Sequence, residues 1–304
     1  MSWIKQLPKK VPLQSGTTSC VGCGAVLSLR LALRILGERT IIVIPASCSA
    51  IIQGGYPDTS FTIPVVDSAF ASGAAVASGI ASALRIRGIE NVNVVVWAGD
   101  GGTADIGLQS LSGAANRQEN MIYICYDNEG YMNTGVQESG TTPFGAWTTN
   151  APRGKILSKK DLPLIMMEHG IPYIATVNVS YPQDFVAKLK KALTYYGFKY
   201  IHVYSPCPPG WRIPADQTTR IGRLAVETGI WPLLEIENGK FQLTGPSKRI
   251  LDEGKRKPLE TYLQAQERFR KMTPENIKTL EDWIELSWKK YATLQKCTTN
   301  LTQT

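Results

Sequence analysis

The chain has 304 residues, of which 43% are hydrophobic, and carries a formal net charge of +8 at pH 7. This length can bury one large core, so we expect one extended α/β domain with C-terminal additions. The basic residues are spread along the chain, which argues against nucleic-acid binding, and neither residues 1–10 nor any other stretch is apolar enough for a leader or a membrane span, so we expect a cytoplasmic protein.

Segments typical of helices alternate with segments typical of strands over the first two thirds of the chain. This alternation predicts a doubly wound, mostly parallel sheet. The predicted helices are 24–36, 68–87, 106–117, 162–169 and 182–196, and the predicted strands are 40–44, 93–97, 121–126, 173–177 and 200–204.

The pattern changes beyond Trp211. Residues 233–244 read as a hairpin that turns at Asn238-Gly239, and residues 274–291 read as an amphipathic helix. The longest segment with neither pattern is 131–155, and long ordered loops are usually functional. The two histidines, His169 and His202, fall in a helix and a strand, so we expect structural roles for both.

A glycine-rich turn follows the apolar strand around residue 96. It reads Gly99-Asp100-Gly101-Gly102-Thr103, and Asn128 follows the next strand. Because carboxyl ends of parallel strands meet at one edge, Asp100, the Asn128 side-chain oxygen and a carbonyl near Gly130 can share a Mg²⁺ ion with phosphate oxygens and water. A helix starting near Asp105 would offer free N–H groups to the anion. This layout is typical of a thiamine diphosphate site.

Two acidic residues of these segments receive no catalytic role. Asp105 can complement the N-terminus of the expected helix, and Glu129 can lie in solvent. A plain glycine-punctuated loop is the alternative for the whole turn, and the presence of Asn128 at the partner position favours cofactor binding over it.

Four of the six cysteines can converge on one site. Cys20 and Cys23 form a Cys-x-x-Cys pair, Cys48 lies in a loop after a predicted strand, and Cys207 follows another strand. Such a set suits an iron-sulfur cluster or structural zinc, and unrelated buried or redox thiols remain an alternative. The other two differ, since Cys125 lies within an apolar strand and Cys297 in a polar tail.

Taken together, these residues resemble the β subunit of the 2-oxoacid:ferredoxin oxidoreductases, specifically of the multi-subunit pyruvate enzymes. The resemblance spans nearly the whole chain and is carried by five segments: Cys20-Val21-Gly22-Cys23-Gly24, Gly99-Asp100-Gly101-Gly102-Thr103, Tyr126-Asp127-Asn128-Glu129-Gly130-Tyr131-Met132-Asn133-Thr134-Gly135, Pro206-Cys207-Pro208-Pro209-Gly210-Trp211 and Ala225-Val226-Glu227-Thr228-Gly229.

The resemblance implies the following ligands. Cys20, Cys23, Cys48 and Cys207 would bind a 4Fe-4S cluster, and Asp100, Asn128 and the Gly130 carbonyl would bind Mg²⁺. Asn133 would be catalytic, because its amide would face the reacting carbon and stabilise a developing oxyanion. The residues expected to contact thiamine diphosphate are Cys48, Ser49, Gly99, Asp100, Gly101, Gly102, Thr103, Asn128, Gly130, Met132, Asn133 and Thr134.

The resemblance also implies a multi-subunit enzyme. An α subunit would supply the activating glutamate and most substrate-binding residues, γ and δ subunits would carry coenzyme A-binding and ferredoxin-like functions, and ferredoxin would accept electrons. Residues 1–211 would form the domain that binds thiamine diphosphate, Mg²⁺ and the iron-sulfur cluster, and residues 212–304 an extension that packs on it and on partner subunits.

The expected reaction is oxidative decarboxylation of pyruvate to acetyl-CoA and CO₂, with one-electron transfers through the cluster to ferredoxin. Arg153, and residues 116–118, depart from the pattern of the pyruvate enzymes, and an arginine near the pocket mouth would favour a second carboxylate. An oxalate oxidoreductase that forms two CO₂ without coenzyme A is therefore one alternative. A non-redox thiamine diphosphate carboligase, a zinc-stabilised binding module and a purely structural subunit are the others.

Overall fold

The computed structural model describes residues 7–55 and 57–300, so residues 1–6 of the expected leader-free N-terminus lie outside the described residues. Within them, eight strands form one sheet in the order β2-β1-β3-β4-β6-β5-β7-β8. The strands are β1 Thr40–Pro45, β2 Val65–Ser68, β3 Asn93–Gly99, β4 Met121–Asp127, β5 Tyr173–Asn178, β6 Phe198–Tyr204, β7 Leu234–Glu237 and β8 Lys240–Leu243.

The sheet is parallel from β2 through β5, and β7 and β8 extend it antiparallel beyond β5. This confirms the predicted mostly parallel α/β fold. The chain passes from β1 outward to β2 and returns on the other side of β1 as β3. The crevice at the carboxyl ends of β1 and β3 is therefore the switch point at which open α/β sheets bind ligands.

Helices cover both faces of the sheet. They are α1 Gly24–Leu36, α2 Cys48–Ile52, α3 Gly73–Ile86, α4 Asp100–Ala104, α5 Leu108–Asn116, α6 Leu162–Met167, α7 Pro182–Ala192, α8 Pro208–Trp211, α9 Thr218–Glu227, α10 Gly245–Glu253, α11 Glu260–Leu263 and α12 Pro274–Asn300. None of the described helices is long and apolar enough to cross a membrane.

Burial on both faces explains the continuous apolar runs of the central strands. In β3, Val94 and Val96 belong to the core on one side of the sheet, and Val95 and Trp97 to the core on the other. The small residues of α3 allow close packing, since a Cβ on Gly73 would lie 3.3 Å from the Pro45 side chain.

The turn after β3 contains a short helix, α4, that was not predicted, and the predicted helix 106–117 follows it as α5, Leu108–Asn116. Three other predicted boundaries were wrong. The predicted helix 182–196 ends at Ala192. The predicted helix 68–87 begins only at Gly73, because Ser68 ends β2. The C-terminal helix α12 continues beyond residue 291 to Asn300.

The predicted hairpin is confirmed. Asn238 and Gly239 have φ angles of 48° and 81°, the left-handed values of a two-residue hairpin turn. No helix or strand interrupts the described residues between β4 and α6, as predicted for the loop 131–155. Residues beyond 211 contribute β7 and β8 to the same sheet, while a domain boundary at residue 211 stays a prediction.

Candidate functional site

A cavity of about 140 Å³ lies at the carboxyl ends of the central strands. Ten of the predicted cofactor contacts line it: Cys48, Gly99, Asp100, Gly101, Gly102, Asn128, Gly130, Met132, Asn133 and Thr134. Sequence reasoning missed Ala46, Ser47, Phe70, Tyr126 and Tyr131, which also line it. The glycines are needed here, because a Cβ on Gly101 would lie 2.5 Å from the Tyr131 ring.

Ser49 and Thr103 do not line this cavity. The Ser49 hydroxyl accepts a hydrogen bond from the Trp97 indole at 3.0 Å, and the Thr103 hydroxyl donates to the Gly99 carbonyl at 2.8 Å. Both residues are buried on the core side of short helices.

Asp100 is completely buried, and its two carboxylate oxygens have different surroundings. Oδ2 accepts hydrogen bonds from Ser139 at 2.5 Å and Thr141 at 2.9 Å. Burial raises the pKa of Asp100 well above its usual range, the nearby Asp127 adds to this, and the two hydroxyls oppose it. A cation beside Oδ1 would favour the ionised form.

Oδ1 of Asp100 faces Asn128 and Gly130. One outer atom of the Asn128 amide lies 2.9 Å from both Asp100 Oδ1 and the Gly130 carbonyl oxygen. With the amide oxygen at that position, three oxygens face one another with no proton between them, whereas the amide nitrogen would donate to both. Adjacent ligands of an octahedral Mg²⁺ lie about 2.9 Å apart when each Mg–O distance is about 2.05 Å. The three groups therefore fit a magnesium ion.

Glu129 is buried, not exposed to solvent as predicted. It is only 2% exposed, and its carboxylate pairs with Lys159 at 3.1 Å and with Arg268 at 2.6 Å. Its φ of 62° lies in the left-handed region, which is uncommon for a residue with a side chain. The sequence predicted solvent because neither cation adjoins it in the chain.

Asp105 also differs from its predicted role. It lies between the last residue of α4 and the start of α5, but no side chain caps α5. Its carboxylate accepts from the Tyr131 hydroxyl and the Gly140 N–H, each at 2.9 Å, and pairs with Lys160 at 2.8 Å. Asp105 therefore ties the cavity wall to the loop after β4.

Asp127, at the end of β4, lies behind the oxygen ligands. The Thr141 hydroxyl is 2.9 Å from both Asp127 Oδ1 and Asp100 Oδ2, and His202 Nε2 is 2.9 Å from Asp127 Oδ2. Burial opposes ionisation of Asp127, but Lys159 and His202 outweigh it and lower its pKa. The structural role predicted for His202 thus includes a contact with Asp127, which lies behind the proposed oxygen ligands.

The four predicted cysteines line a second, smaller cavity of about 80 Å³. Cys48, Asn128 and Asn133 line both cavities, so the two adjoin. Among the described residues, no group of three or more His, Cys, Asp or Glu side chains is arranged to hold a single metal ion.

Burial governs the chemistry of these thiols. It raises the pKa of Cys48 to about 12 and that of Cys207 to about 12, and the neighbouring cysteines add to both shifts. Thiolates are the metal-binding form, so metal binding must displace their protons.

Two glycines, Gly22 and Gly24, allow the Cys-x-x-Cys turn to pack closely against Pro206 and Ala215, on either side of Cys207 along the chain. A Cβ on Gly24 would lie 2.7 Å from the Pro206 carbonyl oxygen, and one on Gly22, which has a φ of 72°, would lie 2.0 Å from the Ala215 carbonyl oxygen. The Gly24 N–H also donates to the Pro206 carbonyl at 3.1 Å. Glycine at both positions therefore allows the close approach.

The remaining candidates lie away from both cavities. Arg153 is exposed and lines neither of them, so the structure gives no support to a gate at the pocket mouth. Cys125 is buried in β4 and Cys297 is exposed on α12. His169 contacts Ser112 at 2.8 Å, in keeping with a structural role.

Comparison with known proteins gives one matching family model and two similar proteins. Residues 50–203 match the family model described as thiamine pyrophosphate enzyme, C-terminal TPP binding domain. Pyruvate synthase subunit PorB of Methanothermobacter marburgensis is 50% identical, with 92% of this chain and 97% of that protein covered. Ketoisovalerate oxidoreductase subunit VorB of Pyrococcus furiosus is 46% identical, with 93% of each chain covered.

A solved structure supports the fold. A chain of the 2-oxoglutarate:ferredoxin oxidoreductase from Magnetococcus marinus superposes with a TM-score of 0.57 at 23% identity, over 72% of this chain and 79% of that one.

Proposed function

Because this chain belongs to the thiamine diphosphate-binding β subunits of the 2-oxoacid:ferredoxin oxidoreductases, we propose that it serves in the oxidative decarboxylation of pyruvate to acetyl-CoA and CO₂. It is one subunit of a multi-subunit oxidoreductase of 2-oxoacids. The proposed reaction releases two electrons per pyruvate, which leave one at a time through an iron-sulfur cluster to two ferredoxins. The departing acyl group passes to the thiol of coenzyme A.

We propose that Asp100, Asn128 and the Gly130 carbonyl hold Mg²⁺, which in turn holds the diphosphate. Support comes from the 2.9 Å that separates the Asn128 amide atom from each of the other two oxygens and from the complete burial of Asp100. When bound, thiamine diphosphate supplies an electron sink for carbon–carbon bond cleavage. The glycines of α4 keep the cavity wall open to the cofactor, and Asn133 offers an amide at the junction of the two cavities.

The observation that carries the redox proposal is the shared wall of the two cavities. Cys20, Cys23, Cys48 and Cys207 are the proposed ligands of a 4Fe-4S cluster. Cys48 lines the cofactor cavity as well as the cysteine cavity. A cluster on these sulfurs would therefore adjoin the cofactor, which suits direct electron transfer and leaves a non-redox carboligase without a use for the four thiols.

The lining of the cavities supports the need for a partner. Among the described residues that line either cavity there is no Glu, Lys, Arg or His. This chain thus offers there neither the carboxylate that activates the aminopyrimidine nor a cation for the substrate carboxylate. We propose that an α subunit supplies both across the exposed Asn133, Thr134 and Gly135. The roles of γ and δ subunits and of ferredoxin as final acceptor belong to the same proposal.

The test is to purify the complex without oxygen and to follow reduction of a low-potential dye with pyruvate, 2-ketoisovalerate or oxalate as substrate. We expect fastest reduction with pyruvate and a requirement for coenzyme A. The 2-ketoisovalerate arm is needed because relatives named for that substrate are nearly as similar as those named for pyruvate. Fastest turnover of either other acid would overturn the substrate proposal, and a preparation without iron or sulfide would overturn the redox proposal.

A further inference from the structure

Arg268 lies outside all the motifs of the sequence, yet it is buried behind the proposed metal site. It is 2% exposed. Its Nη2 donates to Glu129 Oε2 at 2.6 Å and to the Tyr262 hydroxyl at 3.0 Å. Its guanidinium carbon lies 3.8 Å from the centroid of the Trp211 ring. A buried cation is tolerated only with such partners, so Arg268 is held in one position.

The first of these partners controls the shape of the metal-binding turn. The left-handed backbone of Glu129 separates Asn128 from Gly130 and turns their oxygens toward the same point. Arg268 and Lys159 fix the Glu129 side chain from opposite carboxylate oxygens. An uncommon backbone conformation persists when its surroundings hold it, and this ion pair is part of that hold.

Trp211, on which Arg268 stacks, connects the same turn to the proposed cluster. The Trp211 indole N–H donates to the Asn128 carbonyl at 2.7 Å, and the Trp211 backbone N–H donates to the Cys207 carbonyl at 2.9 Å. One residue therefore bonds both segments, and Arg268 stacks on its ring. The fit is tight, since a Cβ on Gly210 would lie 2.2 Å from Met132 Sδ.

We propose that Arg268 is a positioning residue that sets the spacing between the Asn128–Gly130 turn and the Cys207 turn, and so adjusts the metal site and the cluster together. The inference rests on the metal and cluster ligands of the proposed function. An arginine is required because its planar fork bonds Glu129 while its face stacks on Trp211, which a lysine cannot do.

The decisive measurement uses Arg268→Lys in the full complex. After removal of Mg²⁺ with a chelator, Mg²⁺ is titrated by calorimetry in the presence of thiamine diphosphate. We expect affinity to fall about tenfold, the usual scale for a group that orients metal ligands. The electron paramagnetic resonance spectrum of the reduced cluster should change shape while iron content stays at the wild-type level.

Arg256→Lys is the matched control. Arg256 also stacks on a tryptophan, with 5.5 Å from its guanidinium carbon to the Trp288 centroid, and pairs with a glutamate, Glu285. It contacts neither proposed site, so Mg²⁺ affinity and the cluster spectrum should both match the wild type. Equal losses in the two variants would show a general effect on stability and would overturn the proposal.

A glycine substitution separates positioning from folding. Glycine adopts the left-handed conformation without a side-chain clamp. In a Glu129→Gly background, Arg268→Lys should therefore weaken Mg²⁺ binding only about threefold, because only the contact through Trp211 remains. An undiminished tenfold loss in that background would contradict the proposed route through Glu129.

Asp100→Asn distinguishes failure of this inference from failure of the proposed function. If Asp100→Asn binds Mg²⁺ as the wild type does, the metal assignment itself is wrong. If Asp100→Asn loses Mg²⁺ while Arg268→Lys binds it normally, the metal assignment stands and the positioning role of Arg268 is wrong.

Discussion

Buried charged side chains at the carboxyl edge of the sheet have different partners from the buried Lys199 at its amino edge. At the carboxyl edge, Asp127 and Glu129 lie buried beside Asp100, with the cations of Lys159 and Arg268 between and behind them. At the amino edge, Lys199 is 5% exposed, and its ammonium group donates to the neutral Asn120 side chain at 2.7 Å, its only side-chain partner in the described part of the chain. Buried carboxylates are thus paired with cations around Asp100, whereas the buried ammonium group of Lys199 has a neutral partner.

The same strands run between these two edges. β4 begins after Asn120 and ends at Asp127, and β6 carries Lys199 near its start and leads to Cys207. Their interiors are uniformly buried, so the strand cores do not account for the difference. Three buried carboxylates, those of Asp100, Asp127 and Glu129, lie together where a charged ligand is proposed to bind. Such a cluster is the pattern expected of a functional edge.

The largest expected effect comes from removing the proposed metal ligand. Asp100→Asn should weaken Mg²⁺ and thiamine diphosphate binding more than about 100-fold, since it removes the one anionic oxygen among the three ligands. Calorimetric titration of the complex measures it. Asp105→Asn is the control, because this nearby carboxylate faces Tyr131, Gly140 and Lys160 instead. A similar loss in both variants would mean that acidity of the edge, rather than the geometry of Asp100, matters.

The next effect concerns the hydroxyls that bind the outer oxygen of Asp100. Thr141→Val should weaken Mg²⁺ binding about tenfold or more, because Thr141 helps keep Oδ1 turned toward Asn128. Thr176→Val removes another buried hydroxyl, which donates to the Pro232 carbonyl at 2.6 Å instead of to a carboxylate of the site. It should leave the Mg²⁺ titration unchanged, and a loss there would assign the Thr141 effect to stability.

A smaller change in stoichiometry tests the sulfur site. Cys207→Ser should lower the iron and acid-labile sulfide of the anaerobic complex by about four of each per copy of this chain, the content of one 4Fe-4S cluster, because serine is a poor replacement for a thiolate ligand. Cys125→Ser, in the core of β4, should keep both contents at the wild-type level. Full iron in Cys207→Ser would remove Cys207 from the ligand set.

The sequence allowed prediction of the residues that follow strands directly. Asp100, Asn128 and Cys207 could be placed together because neighbouring parallel strands end at one edge. Ser49 and Thr103 each follow a residue that lines the cofactor cavity but do not line it themselves, because successive side chains of a helix diverge by about 100°. Both therefore point into the core.

Other parts of the site had no local signal. Ser139 and Thr141 reach Asp100 from a loop without helical or strand periodicity, and Arg268 reaches Glu129 across 139 residues of sequence. The burial of Glu129 depends on that distant partner, so its environment could not be derived from its neighbours in the chain. These contacts join residues that are far apart in the chain, and the pattern of a single sequence does not indicate which distant residues pair.

The smallest expected effect tests the amino edge. Burial lowers the pKa of Lys199 to about 8, below the value near 10.4 expected in the unfolded chain. The folded state thus binds this proton less tightly, and the contribution of Lys199 to stability should rise as pH increases from about 8 to about 10.5. Lys199→Met should abolish that rise, measured as the difference in thermal unfolding between wild type and variant across this window. At pH 7 it should change stability by only about 1–2 kcal/mol, because removal of a buried charge offsets loss of the bond to Asn120.

Lys188→Met provides the comparison for the stability change of Lys199→Met. Lys188 is as deeply buried, but it pairs with Asp184 at 2.9 Å and also donates to the Thr176 carbonyl and the Thr244 hydroxyl. Its removal leaves a carboxylate without its cation, so it should destabilise the chain by roughly 2–3 kcal/mol. If Lys199→Met destabilises as much and the wild type shows no rise in stability between about pH 8 and about pH 10.5, Lys199 has a charged partner in the assembled enzyme. The amino edge would then resemble the carboxyl edge in pairing its buried charge, and the contrast between the two edges would belong to the isolated chain alone.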